Sequence, residues 1–224
     1  ADLENSNFVS NGKSVDLVQE ENFVENTFHI VKTFDIEGMK IGYIMYNGFD
    51  GDFENELNQA FLDIKSSGAT ELILDLRYNG GGYGYVAADM ATAITGQFNG
   101  EILSYDQYNG LIQAYYEENY PEYILDRFSD KFQFEDMLIP NLNLSKLHVI
   151  TTNSSASASE LLISALSAYI DVATIGTKTF GKYTGSITLY DSDNLRKDGD
   201  NFNTNHTYAM QPIILQYTNK NGET

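Results

Sequence analysis

Three short segments of this chain hold residue types whose spacing could do chemistry. The first is Asn153-Ser154-Ser155-Ala156-Ser157-Ala158-Ser159-Glu160, set between an apolar run and a helical pattern. Small residues let a backbone turn sharply and let a substrate come close. A Ser at such a turn points at the mouth of a sheet, and the helix N-terminus behind it favours developing negative charge. The same residues also fit a structural pattern, with Ser157 as N-cap and Glu160 at the third helical position of a capping box. On this segment alone, cap and nucleophile are both open. The second segment is Tyr78-Asn79-Gly80-Gly81-Gly82-Tyr83-Gly84. Adjacent glycines leave amide N–H groups unobstructed, as an oxyanion hole requires. A strand-to-helix turn that needs positive φ would use the same residues. The spacing fits neither the GxxxxGK[ST] nor the GxGxxG phosphate loop.

The third segment is Thr177-Lys178-Thr179-Phe180-Gly181-Lys182. Lys182 lies one helix and one strand beyond Ser157, a path that can fold back to its start. A buried Lys can serve a Ser as base; a lone Lys can equally be a solvated surface charge. The three histidines fit a Ser-His-Asp site poorly. His29 and His148 fall inside strand patterns, His206 sits at a loop end, and no GxSxG elbow accompanies them. The Asp-rich stretch 191–200 departs from a calcium loop, with Leu195 where a third oxygen ligand belongs. It reads as a solvated loop.

These segments need elements to hold them. The pattern predicts a hairpin from strands over 28–34 and 40–46, turning at Glu37-Gly38. Leu57, Ala60, Phe61 and Ile64 recur at helical spacing up to Gly68. Residues 71–76 suit a buried, parallel strand, and Val86, Ala87, Met90, Ala91 and Ile94 form a second helical stripe. Residues 97–145 are less regular and read as an insertion or lid, with one strand near 101–105 and short helices near 110–128. Strands are expected over 147–151, 172–175, 183–190 and 207–217, with a helix carrying Leu161, Leu162, Ala165, Leu166 and Tyr169 between the first two. The order of strands and helices gives an α/β core.

The chain has 224 residues, enough for one large domain or two small ones. Apolar residues make up 42%, which argues against a wholly disordered chain. Thirteen basic residues against 32 acidic ones leave a net charge of −19. A surface of that sign points away from nucleic acid and anionic membranes as partners. With no cysteine, a disulfide framework, a Cys-ligated metal and a Cys nucleophile are excluded. No apolar run is long enough for a membrane span, and no signal segment is seen. The opening Ala1-Asp2-Leu3-Glu4 lacks Met and reads as the start of a processed or trimmed piece. Residues 1–26 read as a polar arm or the remnant of a preceding domain, and 27–224 as the folded core.

Taken together and in order, Asp75-Leu-Arg-Tyr-Asn-Gly-Gly-Gly82, Ser155-Ala-Ser-Ala-Ser-Glu160 and Thr179-Phe-Gly-Lys182 resemble the DLRxNxGG, SASASE and TFGK segments of the carboxyl-terminal processing peptidases, or tail-specific proteases. The resemblance covers roughly residues 28–218. It implies a crotonase-like (ClpP/crotonase-type) α/β peptidase core, opened by a β-hairpin and carrying a helical insertion. It implies a serine endopeptidase with a Ser–Lys dyad: Ser157 as nucleophile, Lys182 as general base, and the backbone N–H of Ala158 with that of Gly81 or Gly82 as oxyanion hole. No metal or cofactor is called for, the partner is a polypeptide substrate, and the location is exported, in the periplasm or at the cell surface. Many members orient the Lys with a Gln four residues on; here that position is Ser186, so Ser186 or another residue takes that role. Asn79-Gly80-Gly81 replaces the usual Asn-Pro-Gly, and no PDZ segment is recognised. A member that binds peptides without cleaving them is the alternative, and a crotonase-like acyl-group enzyme a more distant one.

Overall fold

The computed structural model of the chain describes residues 2–4, 7–21, 23–133 and 136–224. Two short strands, β1 (Asp2–Glu4) and β2 (Asn7–Val9), pair antiparallel. Residues 10–21 and 23–26 are exposed and carry no helix or strand. The arm expected over 1–26 also takes in Ala1, Asn5, Ser6 and Asn22, which lie outside the described residues.

β3 (Phe28–Ile36) and β4 (Met39–Tyr46) form the hairpin expected from the sequence. Its two turn residues, Glu37 and Gly38, both have positive φ, the geometry that matches strand twist in a two-residue turn. α1 (Glu54–Ser67) buries Leu57, Ala60, Phe61 and Ile64 along one stripe and stops at Gly68, which takes the left-handed conformation. β5 (Glu71–Asp75) follows, parallel to β4, with Leu72 and Leu74 fully buried between layers. Then come α2 (Gly84–Thr95), β6 (Ile102–Tyr108), α3 (Gly110–Asn119) and β7 (Leu125–Arg127). The chain goes on through β8 (Lys146–Thr151), α4 (Ala158–Ser167), β9 (Asp171–Gly176), β10 (Thr184–Ser186) and β11 (Ile213–Asn219).

Two larger sheets result. The first is mixed, in the order β3-β4-β5-β8-β9, with only the β3–β4 pair antiparallel. The second runs β10-β11-β6-β7 and is antiparallel throughout. α4 touches β9 of the first sheet and β11 and β6 of the second, so it bridges them. Asn219 of β11 fixes that bridge by donating to the Ser164 carbonyl of α4 at 3.1 Å. The core is continuous through Phe61, Leu74, Met90, Leu147, Leu162 and Leu166.

This architecture corrects the crotonase-like core expected from the sequence. A mixed sheet is joined through one helix to a wholly antiparallel sheet, in place of a crotonase-like spiral. The physical cause is long-range pairing. Segment 102–108, read as part of an insertion or lid, is an inner strand of the second sheet, held between the C-terminal strand β11 and β7. The strand expected over 183–190 shrinks to Thr184–Ser186, where the register slips between Gly185 and Ser186. Beyond it, Leu189 pairs with Met210 across the polar loop.

Candidate active site

The Ser-rich segment folds as a sharp turn out of β8 into α4. Ser157 sits at φ 59° and ψ −116°, a region that non-glycine residues avoid. The three alternate serines of the turn do different work. The Ser155 hydroxyl donates to the Leu76 carbonyl at 2.7 Å, and the Ser159 hydroxyl to the Asn79 carbonyl at 3.0 Å. Both are fully buried. They fasten the turn to the end of β5 and to the glycine segment. The middle hydroxyl, Ser157 Oγ, accepts from Lys182 Nζ at 3.1 Å.

The lysine side is positioned by Glu160. Its Oε2 accepts from the Ser157 N–H at 2.9 Å and from the Lys182 N–H at 2.8 Å, and its Oε1 from the Gly181 N–H at 2.6 Å. The cap pattern read in the sequence is therefore present, with Ser157 as N-cap and Glu160 at the third helical position. It coexists with the Ser157–Lys182 contact, with the Glu160 carboxylate taking the Ser157 backbone N–H.

The glycine segment passes directly over this turn. Gly81 and Gly82 have φ of 105° and 143°. A Cβ on Gly81 would come within 2.6 Å of Ser157 Cβ, and one on Gly82 within 2.1 Å of the Phe49 carbonyl oxygen. Only glycine fits at either position. Asn79 shapes the loop by accepting from the Gly81 N–H at 2.9 Å and donating to the Tyr46 carbonyl at 3.0 Å. The Gly81 N–H is thus occupied. Among the described residues, the N–H groups of Ala158 and Gly82 have no acceptor. Below the loop, buried Asp75 accepts from Tyr43 OH at 2.7 Å and from the Arg77 guanidinium at 2.7 Å. Burial opposes its charge, but the bonds from Arg77 and Tyr43 outweigh it and hold the carboxyl below its ordinary range.

Ser157, Lys182, Ala158, Gly82, Leu161 and Tyr217 line one cleft of about 830 Å³. Its far wall carries two carboxyls. Burial, then the charge of Asp126, pushes Asp106 up to about 7. Burial also raises Asp126, against the bond it accepts from Ser104 Oγ at 2.7 Å. Ser186 lines the same cleft, but no hydrogen bond joins it to Lys182. None of the histidines lines it. His29 is exposed on β3, His148 lies 3.5 Å from Glu71, and His206 lies 3.2 Å from Asp191. Among the described residues no group of three or more His, Asp or Glu side chains could hold a metal ion, and no helix is long and apolar enough to cross a membrane.

The model of peptidase family S41 matches residues 40–212, most of the chain and all three segments of the site. The chain belongs to peptidase family S41. Among its S41 relatives, a CtpA-like serine protease of Staphylococcus epidermidis is 28% identical over 171 residues, covering 75% of this chain and 30% of that protein. A carboxyl-terminal-processing protease of Picosynechococcus is 28% identical over 146 residues, covering 65% of this chain and 30% of that one. The chain therefore spans about a third of the curated relatives' length. A crystal structure of an S41 protease from Bacteroides fragilis superposes with a TM-score of 0.71 at 25% identity, over 90% of this chain and 48% of that one. The photosystem II D1 C-terminal processing protease shares the fold, with a TM-score of 0.55 at 21% identity over 82% of this chain and 39% of its own. These likenesses fix the architecture as the S41 peptidase type and replace the crotonase-like assignment.

Glu160, Asn79 and Tyr217 are the site residues that sequence reasoning left without a role in the site. Glu160 was visible through its cap pattern and Asn79 through its place in the glycine segment. Tyr217 had no local signal, because the carbonyl it bonds, that of Lys182, lies 35 residues away.

Proposed function

We propose that residues 27–224 form the catalytic core of a serine endopeptidase that cleaves unfolded or C-terminally exposed polypeptides through Ser157 and Lys182. The observation that carries this reading is the 3.1 Å contact from Lys182 Nζ to Ser157 Oγ, in a cleft beside two uncommitted N–H groups. Neutral Lys182 takes the Ser157 proton as Oγ attacks the peptide carbonyl. The oxyanion forms beside the Ala158 and Gly82 N–H groups, both free to donate. The C–N bond then breaks, and the Lys182 ammonium returns the proton to the leaving amine. Water attacks the ester carbonyl, Lys182 takes the water proton, and the carboxylic acid leaves as Ser157 regains its hydrogen. The carboxyl-terminal-processing relative supports a preference for chain ends, and the CtpA-like kinship supports an exported location in the periplasm or at the cell surface.

The test pairs casein cleavage with labelling by a fluorophosphonate probe. Ser157→Ala is expected to abolish both and keep the fold. Lys182→Met should slow both by about 10²- to 10⁴-fold, the usual range for a general base. Cleavage that survives in Ser157→Ala would overturn the assignment. Peptide binding without Ser157 labelling would leave this chain a binding module.

A further inference from the structure

Lys182 is mounted on a segment that precedes β10, so no sheet ladder holds its peptide groups. Side chains hold them. Its N–H goes to Glu160, as described. Its carbonyl accepts from the Tyr217 hydroxyl at 2.9 Å, and the next carbonyl, that of Tyr183, accepts from the Tyr217 N–H at 3.1 Å. Tyr217 thus grips two successive carbonyls, one with its side chain and one with its main chain. Its own place is firm: it sits on β11 opposite Asp106 of β6 and is 8% exposed. A buried phenol usually finds a hydrogen-bond partner, and here that partner is the Lys182 carbonyl. Burial pushes the phenol up to about 12, while the adjacent Ser157 hydroxyl works the other way, so the ring also neighbours the nucleophile. Tyr217 and Lys182 both line the cleft and also a second cavity of about 700 Å³.

At the other end of the lysine, Nζ has a hydrogen bond to Ser157 Oγ and to no other described residue. The four-methylene side chain is therefore aimed by the peptide it grows from. We propose that Tyr217 is a positioning residue of the dyad beside Glu160: by holding the Lys182 carbonyl, its hydroxyl sets the direction from which Nζ reaches Ser157 Oγ. It fills the orienting role left open at Ser186. The proposal rests on the reading of Ser157 and Lys182 as nucleophile and base.

Tyr217→Phe removes the hydroxyl and keeps the ring. Fluorophosphonate labelling of the full chain reads Ser157 without a known substrate, and Ser157→Ala sets the background. The maximal labelling rate is expected to fall about 10- to 100-fold, as for a displacement near 1 Å. The probe concentration at half-saturation and the unfolding midpoint should stay near the wild-type values. Labelling at the wild-type rate overturns the proposal. Crystal structures of both proteins give a second reading that needs no activity. The variant is expected to show Nζ withdrawn beyond hydrogen-bond reach of Oγ, and an unchanged separation overturns the proposal. A wild type that holds the short contact yet never labels counts against the peptidase reading, while the structures still decide Tyr217. If Tyr217→Phe fails to fold, tetrafluorotyrosine at position 217 preserves the shape but ionises at lower pH. Labelling should then fall as pH rises through that ionisation, and a wild-type pH profile overturns the proposal.

Discussion

Ser157 shows at the scale of one residue how the site stores strain. Its φ of 59° with ψ −116° places Cβ where an L-residue is costly, on the order of 1–3 kcal/mol. The bonds around it keep it there: Glu160 holds its N–H, while Ser155 and Ser159 fix the turn on either side. Two variants that both lack the hydroxyl isolate the strain. Ser157→Gly is expected to be more stable than Ser157→Ala by about 1 kcal/mol, because glycine adopts positive φ freely. Urea unfolding of the pair measures this, and an alanine variant that is equally stable would refute the strain. The residues of this turn were legible in the sequence because their roles are local. Small size, the cap pattern and the following helix all lie within eight positions. The double use of Ser157, as backbone cap and as side-chain partner of Lys182, was not legible as a unity, since the cap and the Lys contact looked like competing explanations.

At the scale of elements, α1 and α2 meet at a buried acidic pair. Asp89 of α2 is 3% exposed, and burial, then the charge of Glu54 on α1, pushes it up to about 7. An ordinary Asp titrates near 4. The folded chain therefore keeps a proton on Asp89 that the unfolded chain releases between about pH 4 and 7. That retention stabilises the fold at low pH and is lost as pH rises through 7. Asp89→Asn mimics the protonated form. It should match wild type at or below about pH 4 and exceed it near pH 8 by on the order of a few kcal/mol, as read by urea unfolding at both values. A gap that does not change with pH would refute the assignment. The helices themselves were readable from their stripes, as Leu57, Ala60, Phe61 and Ile64 show. Strand pairing was not. Gln216 of β11 hydrogen-bonds Gln107 of β6 across 109 positions, and nothing near either residue announces the other. The second sheet, and Tyr217 with it, was hidden for that reason.

For the whole molecule, a net charge of −19 surrounds a cleft whose wall carries Asp106 and Asp126. A field of that sign attracts cationic chains and repels anionic ones over a range that salt shortens to about 10 Å at 0.1 M. The specificity constant for a peptide of net positive charge should fall as salt is added, and that for a net negative peptide should rise. Parallel salt titrations of the two substrates check this, and indifference of both would show that the global field does not reach the cleft.

The Glu160 carboxylate binds the amide of Ser157 and the amide of Lys182 through the same oxygen. Ser157 and Lys182 are thus referenced to a single point. A displacement of the loop relative to α4 is shared by both partners as a common offset, and their separation is insulated from it. A control signal cannot silence this site by gentle drift. It must either sever the carboxylate's hold and part the pair outright, or leave the pair whole and close the road to it.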